Sequence, residues 1–473
     1  MKKYKSYFFY TLIVLMIIIL SITIKNVKKN IDNKSDQISF LKKNLKNKKN
    51  QLKNIHTKLL DKNINIENII FEEGINFKNK KKQTFKLDNL DYDLIEFVSN
   101  DLIFAKHPEA SSSAYIDYYD ENVFLATATG QITYSKIKNL NNNDFKFSSI
   151  KSNIHEIIKY SEFYNSSAFG IKDILVRNNK IYVSYIKEHY KDCFSTSILV
   201  GELNYSYIYF KDFYSSKNCI EKSSEFYNLH PKDKLVAHQS GGRMIIVDNS
   251  FIFSTGEYRY RTLAQEINND FGKIISINLT NNSKKIISLG HRNPQGLYFN
   301  KDLNILFSTE HGPSGGDEIN FLDFNVNDGA IANYGWPIAS YGRHYFDNNN
   351  DKDKRYELSP LKKSHSKNGF IEPIKYFDPS VGISQIIGVP NKFFKSENDK
   401  FLVGTMGNAK KFNKGMISLF FFEFDKIKKK IIKNEFIPIK SRVRDMIYVE
   451  NENIVLLYLE NNNALAVLKA RKN

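Results

Sequence analysis

Gly290-His291-Arg292-Asn293-Pro294-Gln295-Gly296 leads into the apolar run Leu297-Tyr298-Phe299, a polar turn, and a second run, Ile305-Leu306-Phe307-Ser308. Glu310-His311-Gly312-Pro313-Ser314-Gly315-Gly316-Asp317-Glu318-Ile319-Asn320 follows, and then Asn333-Tyr334-Gly335-Trp336-Pro337. The two short runs have strand length and a turn between them, which is a hairpin pattern. The flanking blocks carry imidazole, guanidinium, amide and carboxylate groups that packing does not require. Their glycines and prolines fix backbone shape without filling a core. The segment therefore gives both a structural unit and a candidate site.

The same unit recurs along the chain. It is read at 115–130, 174–185, 244–256, 296–312, 386–407 and 446–460, each time as an apolar run, an Asn/Asp-rich turn and a second apolar run. Six such hairpins with further strands between them predict an all-β chain folded as a six-bladed β-propeller. A pair of β-sandwiches is the structural alternative. A propeller gathers distant loops around one mouth of a central channel, so the polar blocks can be considered together.

Ala237-His238-Gln239-Ser240-Gly241-Gly242-Arg243 precedes the third hairpin, and Gly256-Glu257 closes it. His238 and Glu257 suit a general base and a carboxylate that orients it. Taken alone, a His before a strand is ordinarily a satisfied loop residue. Arg292 and Asn293 place a planar cation beside an amide. In Ser441-Arg442-Val443-Arg444-Asp445, alternation along an extended segment puts Arg442 and Arg444 on one face. Such a pair is ordinarily a solvated edge, but beside Arg292 it can clamp a polyanion through bidentate bonds. The turn at Gly312 and Pro313 can present carbonyl oxygens to a hard cation such as calcium.

The chain has 473 residues, 41% hydrophobic and 14% aromatic, enough for a sizeable core. Its net charge of +18 is unevenly placed: residues 1–60 hold 14 Lys and only Asp32 and Asp36 as acids, about +12 of the total. The rest is mildly basic, which argues against a nucleic-acid-binding body. After residues 1–5, residues 6–24 carry no charge and are long enough to cross a bilayer as a helix, which reads as a transmembrane signal anchor. A cleaved signal peptide and a buried helix are the alternatives; Ser21-Ile22-Thr23-Ile24 shows no small-x-small cleavage pattern. Lysines after the segment outnumber those before it, so positive-inside counting alone puts the body in the cytoplasm. Residues 25–84 read as a basic helical stalk, with Ile31, Ile38, Leu45, Leu52 and Leu59 seven apart. The stalk is either a solvated spacer or a homodimer contact. Residues 85–473 are the expected propeller. Cys193 and Cys219 can form one disulfide if the body is exported and are free thiols in a cytoplasm.

These motifs, in this order over about residues 95–470, resemble the soluble-type pyrroloquinoline quinone (PQQ) dependent glucose/sorbosone dehydrogenases, also called aldose sugar dehydrogenases. The resemblance rests on His238 to Arg243, Gly290 to Gly296, Gly312 to Asn320, Asn333 to Pro337 and Arg442 to Asp445. It implies the six-bladed propeller, an extracytoplasmic body on an inner-membrane anchor, and oxidation of an aldose at C1 to the lactone with electrons passed to an external acceptor. By the same resemblance, His238 is the base, with Glu257 its acidic partner. Arg292 and Asn293 contact the quinone oxygens, Arg442 and Arg444 pair with PQQ carboxylates, and Gly312 and Pro313 give carbonyls to calcium.

Two positions depart from that pattern. Gly407 stands where the family has a lysine, with Lys410 and Lys411 displaced. Ala168 stands where it has a cofactor-contacting glutamine, with Phe169 and Lys172 also unlike the family. Losing a charge-assisted bond costs about 1.5–3 kcal/mol. The competing expectation is a propeller that binds a carbohydrate or a protein without redox chemistry. The sugar is not legible from the loops at 258–263 and 341–353.

Overall fold

The computed structural model describes residues 74–87, 90–102, 112–224, 235–326, 329–345, 357–394, 398–407 and 415–471. The expected membrane anchor and most of the stalk lie outside these residues. Among the described residues no helix is long and apolar enough to cross a membrane.

All six hairpins form as antiparallel pairs. They are Ala114–Tyr119 with Asn122–Thr127, Ile171–Arg177 with Lys180–Tyr190, Gly241–Val247 with Ser250–Thr255, Pro294–Asn300 with Ile305–Glu310, Ile383–Val389 with Asp399–Thr405, and Val443–Val449 with Ile454–Leu459. The opening strand of each hairpin packs against the opening strand of the next, and the last returns to the first. The architecture is all-β and propeller-like, with these inner strands around a common axis and the later strands of each sheet outside them.

The core lies between neighbouring sheets, because each sheet is apolar on both faces. Between the fourth and fifth sheets, Phe307 packs on Phe401 with ring centroids 4.6 Å apart, and Phe401 stacks on Phe422 at 4.8 Å. Each fully buried phenylalanine contributes about 1.5–3 kcal/mol. Small residues admit the close contacts: a Cβ on Gly388 would come within 2.3 Å of the Tyr298 hydroxyl.

One boundary differs from the sequence reading. The first strand, Ile75–Leu87, pairs with Leu90–Val98 and, through its first residues, with Asp144–Ser152, so residues 75–84 belong to sheet rather than stalk. Its lysines disguise it. Ile75 and Phe77 are fully buried, whereas Lys78, Lys81, Lys82 and Lys86 are exposed. Leu90–Val98 in turn pairs with the last strand, Ala464–Ala470, so the two ends of the folded body meet in one sheet.

Polar side chains tie the inner strands together. Arg243 Nη1 donates to Asp173 Oδ1 and Asp445 Oδ1, both at 2.8 Å. Asp173 Oδ2 accepts the Met244 N–H at 2.8 Å, Asp445 Oδ2 the Ile116 N–H at 2.8 Å, and Asp117 Oδ2 the Val176 N–H at 2.6 Å. Four inner strands are thereby joined through buried ionic groups. Removing one partner of a buried ion cluster leaves an uncompensated charge. Asp445→Ala is expected to lower unfolding stability by about 3–5 kcal/mol in denaturant titration. A loss below about 1 kcal/mol would show that Arg243 does not depend on it.

Candidate functional site

The site is built where the inner strands begin. Five of the six pairs have a register shift there, with Lys172, Gly242 and Arg243, Gln295, Ser384 and Gln385, or Arg444 skipped between successive partners. A bulge of this kind re-aims the extra side chain. The skipped residues meet one another: Arg444 Nη1 donates to Gln295 Oε1 at 2.8 Å, and Arg243 Nε to the Gln295 carbonyl at 3.2 Å.

Arg442 and Arg444 converge on one carboxylate that motif reading missed, Glu460. Arg442 Nε donates to Glu460 Oε2 at 2.8 Å, and Arg444 Nε to Oε1. Ser113 Oγ adds a further bond to Oε1. Burial raises the Glu460 pKa, but Arg444 and Arg442 outweigh it and hold the carboxyl at about 2. One carboxylate faces two guanidiniums, so this corner keeps a positive excess. Its sequence signal was the end of the sixth hairpin, the position that His311 occupies in the fourth.

Arg292 approaches from the other side. Its main-chain N–H donates to Glu310 Oε2 at 2.7 Å, and Nη1 and Nη2 donate to the His311 carbonyl at 2.9 Å and the Tyr345 hydroxyl at 3.0 Å. Its guanidinium also lies over the Trp336 ring, 5.4 Å from the centroid. Glu310 is held in turn by His291 Nδ1 at 3.1 Å and Asn320 Nδ2 at 2.9 Å. Asn293 Oδ1 accepts the Gly241 N–H at 3.1 Å, which ties this segment to the 237–243 loop. Desolvation, then Arg292, Arg444 and Arg442, lower the His311 pKa to about 3. That imidazole is neutral at working pH and registers the convergence of all three arginines.

His238 is exposed in the same loop. Glu257 is fully buried and meets the next residue, Gln239. With the Gln239 amide oriented by its neighbours, its nitrogen donates to Glu257 Oε1 at 2.9 Å and its oxygen accepts from Arg292 Nη2 at 2.9 Å. Among the described residues, Glu257 Oε2 has no hydrogen-bond partner. Gln239, the residue after His238, thus links Glu257 to Arg292.

Gly312 and Pro313 lie in a turn held by Asp317, whose Oδ1 accepts the Gly312 N–H at 3.0 Å. The turn is crowded with main-chain oxygens: a Cβ on Gly312 would lie 2.2 Å from the Gly316 carbonyl and 2.3 Å from that of Gly315. Among the described residues no group of three or more His, Cys, Asp or Glu could hold a metal ion; a site here would use carbonyl oxygens. The loops at 258–263 and 341–345 pack together, with Arg261 Nη1 2.8 Å from His344 Nδ1 and Arg259 over the Tyr345 ring at 5.1 Å.

At the departing positions the main chain is already engaged. The Gly407 carbonyl accepts from Arg442 Nη1 at 2.6 Å, and a Cβ there would come within 2.4 Å of the Met416 side chain. Lys410 and Lys411 lie outside the described residues. Ala168 accepts at its carbonyl from Lys172 Nζ at 2.7 Å.

Arginines, a histidine and a carbonyl-rich turn thus gather where the inner strands of a propeller-like ring begin. The chain belongs to the glucose/sorbosone dehydrogenase family, whose model matches residues 145–467. It is 28% identical over 180 residues to aldose sugar dehydrogenase YliI of Escherichia coli K12, covering 35% of this chain and 44% of that protein. It is 32% identical over 157 residues to quinoprotein glucose dehydrogenase B of Acinetobacter calcoaceticus, covering 27% and 31%. These alignments span less than half the length of either relative. In fold, the chain is similar to the apo crystal structure of the soluble E. coli aldose sugar dehydrogenase, with TM-score 0.57, 18% identity and coverage of 77% and 97%. The holo PQQ domain of Coprinopsis cinerea pyranose dehydrogenase gives 0.51, 8% identity and coverage of 83% and 98%.

Burial raises the Glu257 pKa to about 7, against the opposing pull of Arg292 and Arg261. A carboxyl raised on folding contributes stability that is complete below about pH 4.5 and lost as pH rises through about 7. Glu257→Gln mimics the protonated form. It is expected to match the wild type near pH 5 and exceed it near pH 8.5 by up to about 3 kcal/mol. Thermal unfolding at the two pH values tests this, and parallel profiles would refute the assignment.

Proposed function

We propose that the chain is a six-bladed, PQQ-dependent dehydrogenase that oxidises an aldose at C1 to the lactone. The observation that carries the reading is the cationic mouth, in which Arg292, Arg442 and Arg444 surround the neutral His311 and Glu460 balances only part of their charge. That donor set fits a planar ligand bearing carboxylates. When bound, PQQ supplies the two-electron acceptor. Arg442 and Arg444 would hold its carboxylates, and Arg292 and Asn293 would supply donors to its quinone oxygens. Cationic and amide donors fixed there favour negative charge as it grows, which lowers the barrier more than it stabilises the ground state. The carbonyls of Gly312 and Pro313 are the oxygens offered to calcium.

His238 takes the proton of the C1 hydroxyl as the C1–H bond breaks with its electron pair, leaving the lactone carbonyl. Its exposure leaves it accessible to an incoming sugar. Gln239 fixes the loop between Glu257 and Arg292, so base and cofactor cations are positioned by one hydrogen-bonded chain. Tyr345 and the packed loops beside it form the rim that a sugar passes.

The body is proposed to sit outside the cytoplasmic membrane, tethered by residues 6–24, with the stalk as a solvated spacer or dimer contact and the electron acceptor external. The bonded pair Cys193–Cys219 supports this compartment. Intact mass after alkylation is expected to show no label before reduction and two labels after it. Labelling without reduction would place the chain in a reducing compartment.

Calorimetric titration of PQQ with calcium into the full chain tests the cofactor. Binding in the micromolar range or tighter is expected, about −8 kcal/mol or better. No binding would leave a propeller that recognises a carbohydrate or protein without redox chemistry, a reading favoured by Gly407 and Ala168. His238→Ala is expected to lower turnover by roughly 100-fold or more while PQQ still binds; near-normal turnover would refute the base assignment.

A further inference from the structure

Lys172 occupies the bulge at the head of the second inner strand, the place that Arg444 holds in the sixth and Gln295 in the fourth. It is 6% exposed. Its stem lies across Gly242, where a Cβ would come within 2.4 Å of Lys172 Cβ, so this glycine of the His238 loop admits the lysine. The ammonium donates to the carbonyls of Ser167 at 2.9 Å and Ala168 at 2.7 Å, its hydrogen-bond partners among the described residues. An ammonium has three donors, so one is left over.

The charges it faces do not neutralise it. Arg444 repels it; Glu460 attracts it but is already engaged by Arg442, Arg444 and Ser113. Arg243, on the adjoining strand, is closed off by Asp173 and Asp445. A buried cation beside another cation, without an anion of its own, weakens the ligand-free fold. Folding alone does not explain why this position carries a lysine, and an anionic ligand does.

We infer that Lys172 is a ligand-contacting cation of the mouth, donating its remaining N–H to an oxygen of the carboxylate-bearing quinone held by Arg442 and Arg444. In this chain it supplies the charge missing at Gly407. The inference rests on the reading of the mouth as a PQQ site. Burial, with Arg444, lowers the amine's pKa to about 7 in the ligand-free protein. Contact with an anion raises it, so binding above neutrality takes up a proton. Glu257 also titrates in this range and must be separated from it.

The test is calorimetry of PQQ with calcium in buffers of different ionisation enthalpy, on the full-length wild type, Lys172→Met and Glu257→Gln. Wild type is expected to take up a proton near pH 8 and to lose affinity by up to about tenfold per pH unit above 7. Glu257→Gln keeps that uptake. Lys172→Met loses it and binds about 10–100-fold more weakly near pH 6.5, while its ligand-free form melts at or above the wild-type temperature. Binding by Lys172→Met with unchanged affinity and pH dependence overturns the inference and leaves the PQQ reading intact. Absence of proton uptake by the wild type overturns it without recourse to any variant. No PQQ binding by the wild type takes down both.

Discussion

Arg243 is the group on which the ring depends. It is buried beneath the mouth, bonded to Asp173 on one neighbouring strand and Asp445 on another; Asp173 also accepts the Met244 N–H of Arg243's own strand, and Asp445 the Ile116 N–H of a further one. Apolar packing between sheets is tolerant of small shifts. A shared ion cluster is not, because each charge is satisfied only when the strands hold one spacing. The arrangement fixes the inner strands against one another just below the functional groups.

The bulges turn that fixed ring into a site. A regular strand alternates its side chains between two faces, and both faces here are packed against neighbouring sheets. An extra residue at the strand head breaks the alternation and releases one side chain to the mouth. Lys172, Gln295 and Arg444 arise this way, which explains why groups hundreds of residues apart touch. Polar residues then spread the constraint outward, from Glu460 under the arginine pair to Glu310, His291 and Asn320 behind Arg292.

The hairpins were legible because their apolar runs are short and separated by Asn/Asp turns, and all six pair as read. Arg292, Arg442 and Arg444 were legible as a set because no packing role accounts for three arginines beside glycine-rich turns. The partners were not. Glu460 and Glu310 sit at strand ends like many surface carboxylates, and only the three-dimensional ring brings Glu460 under two guanidiniums. The alternation that placed Arg442 and Arg444 on one face omitted the bulge at Arg444. Gln239 was passed over between His238 and the glycines, although it joins Glu257 to Arg292. The first strand was hidden by its own lysines: a sequence reads charge, whereas the sheet sorts Ile75 and Phe77 inward from the lysines around them.

The joining of the two ends in one sheet has a consequence for how the chain is made. Leu94 pairs with Leu468 and Val98 with Ala464, so this strand waits for a partner synthesised hundreds of residues later. Until then it presents an open edge to other chains, and the long loop it must close makes that pairing slow. Sheets in the middle of the body assemble from local hairpins as they emerge. A polypeptide lacking Ala464–Ala470 would hold its middle sheets formed and its ring unsealed.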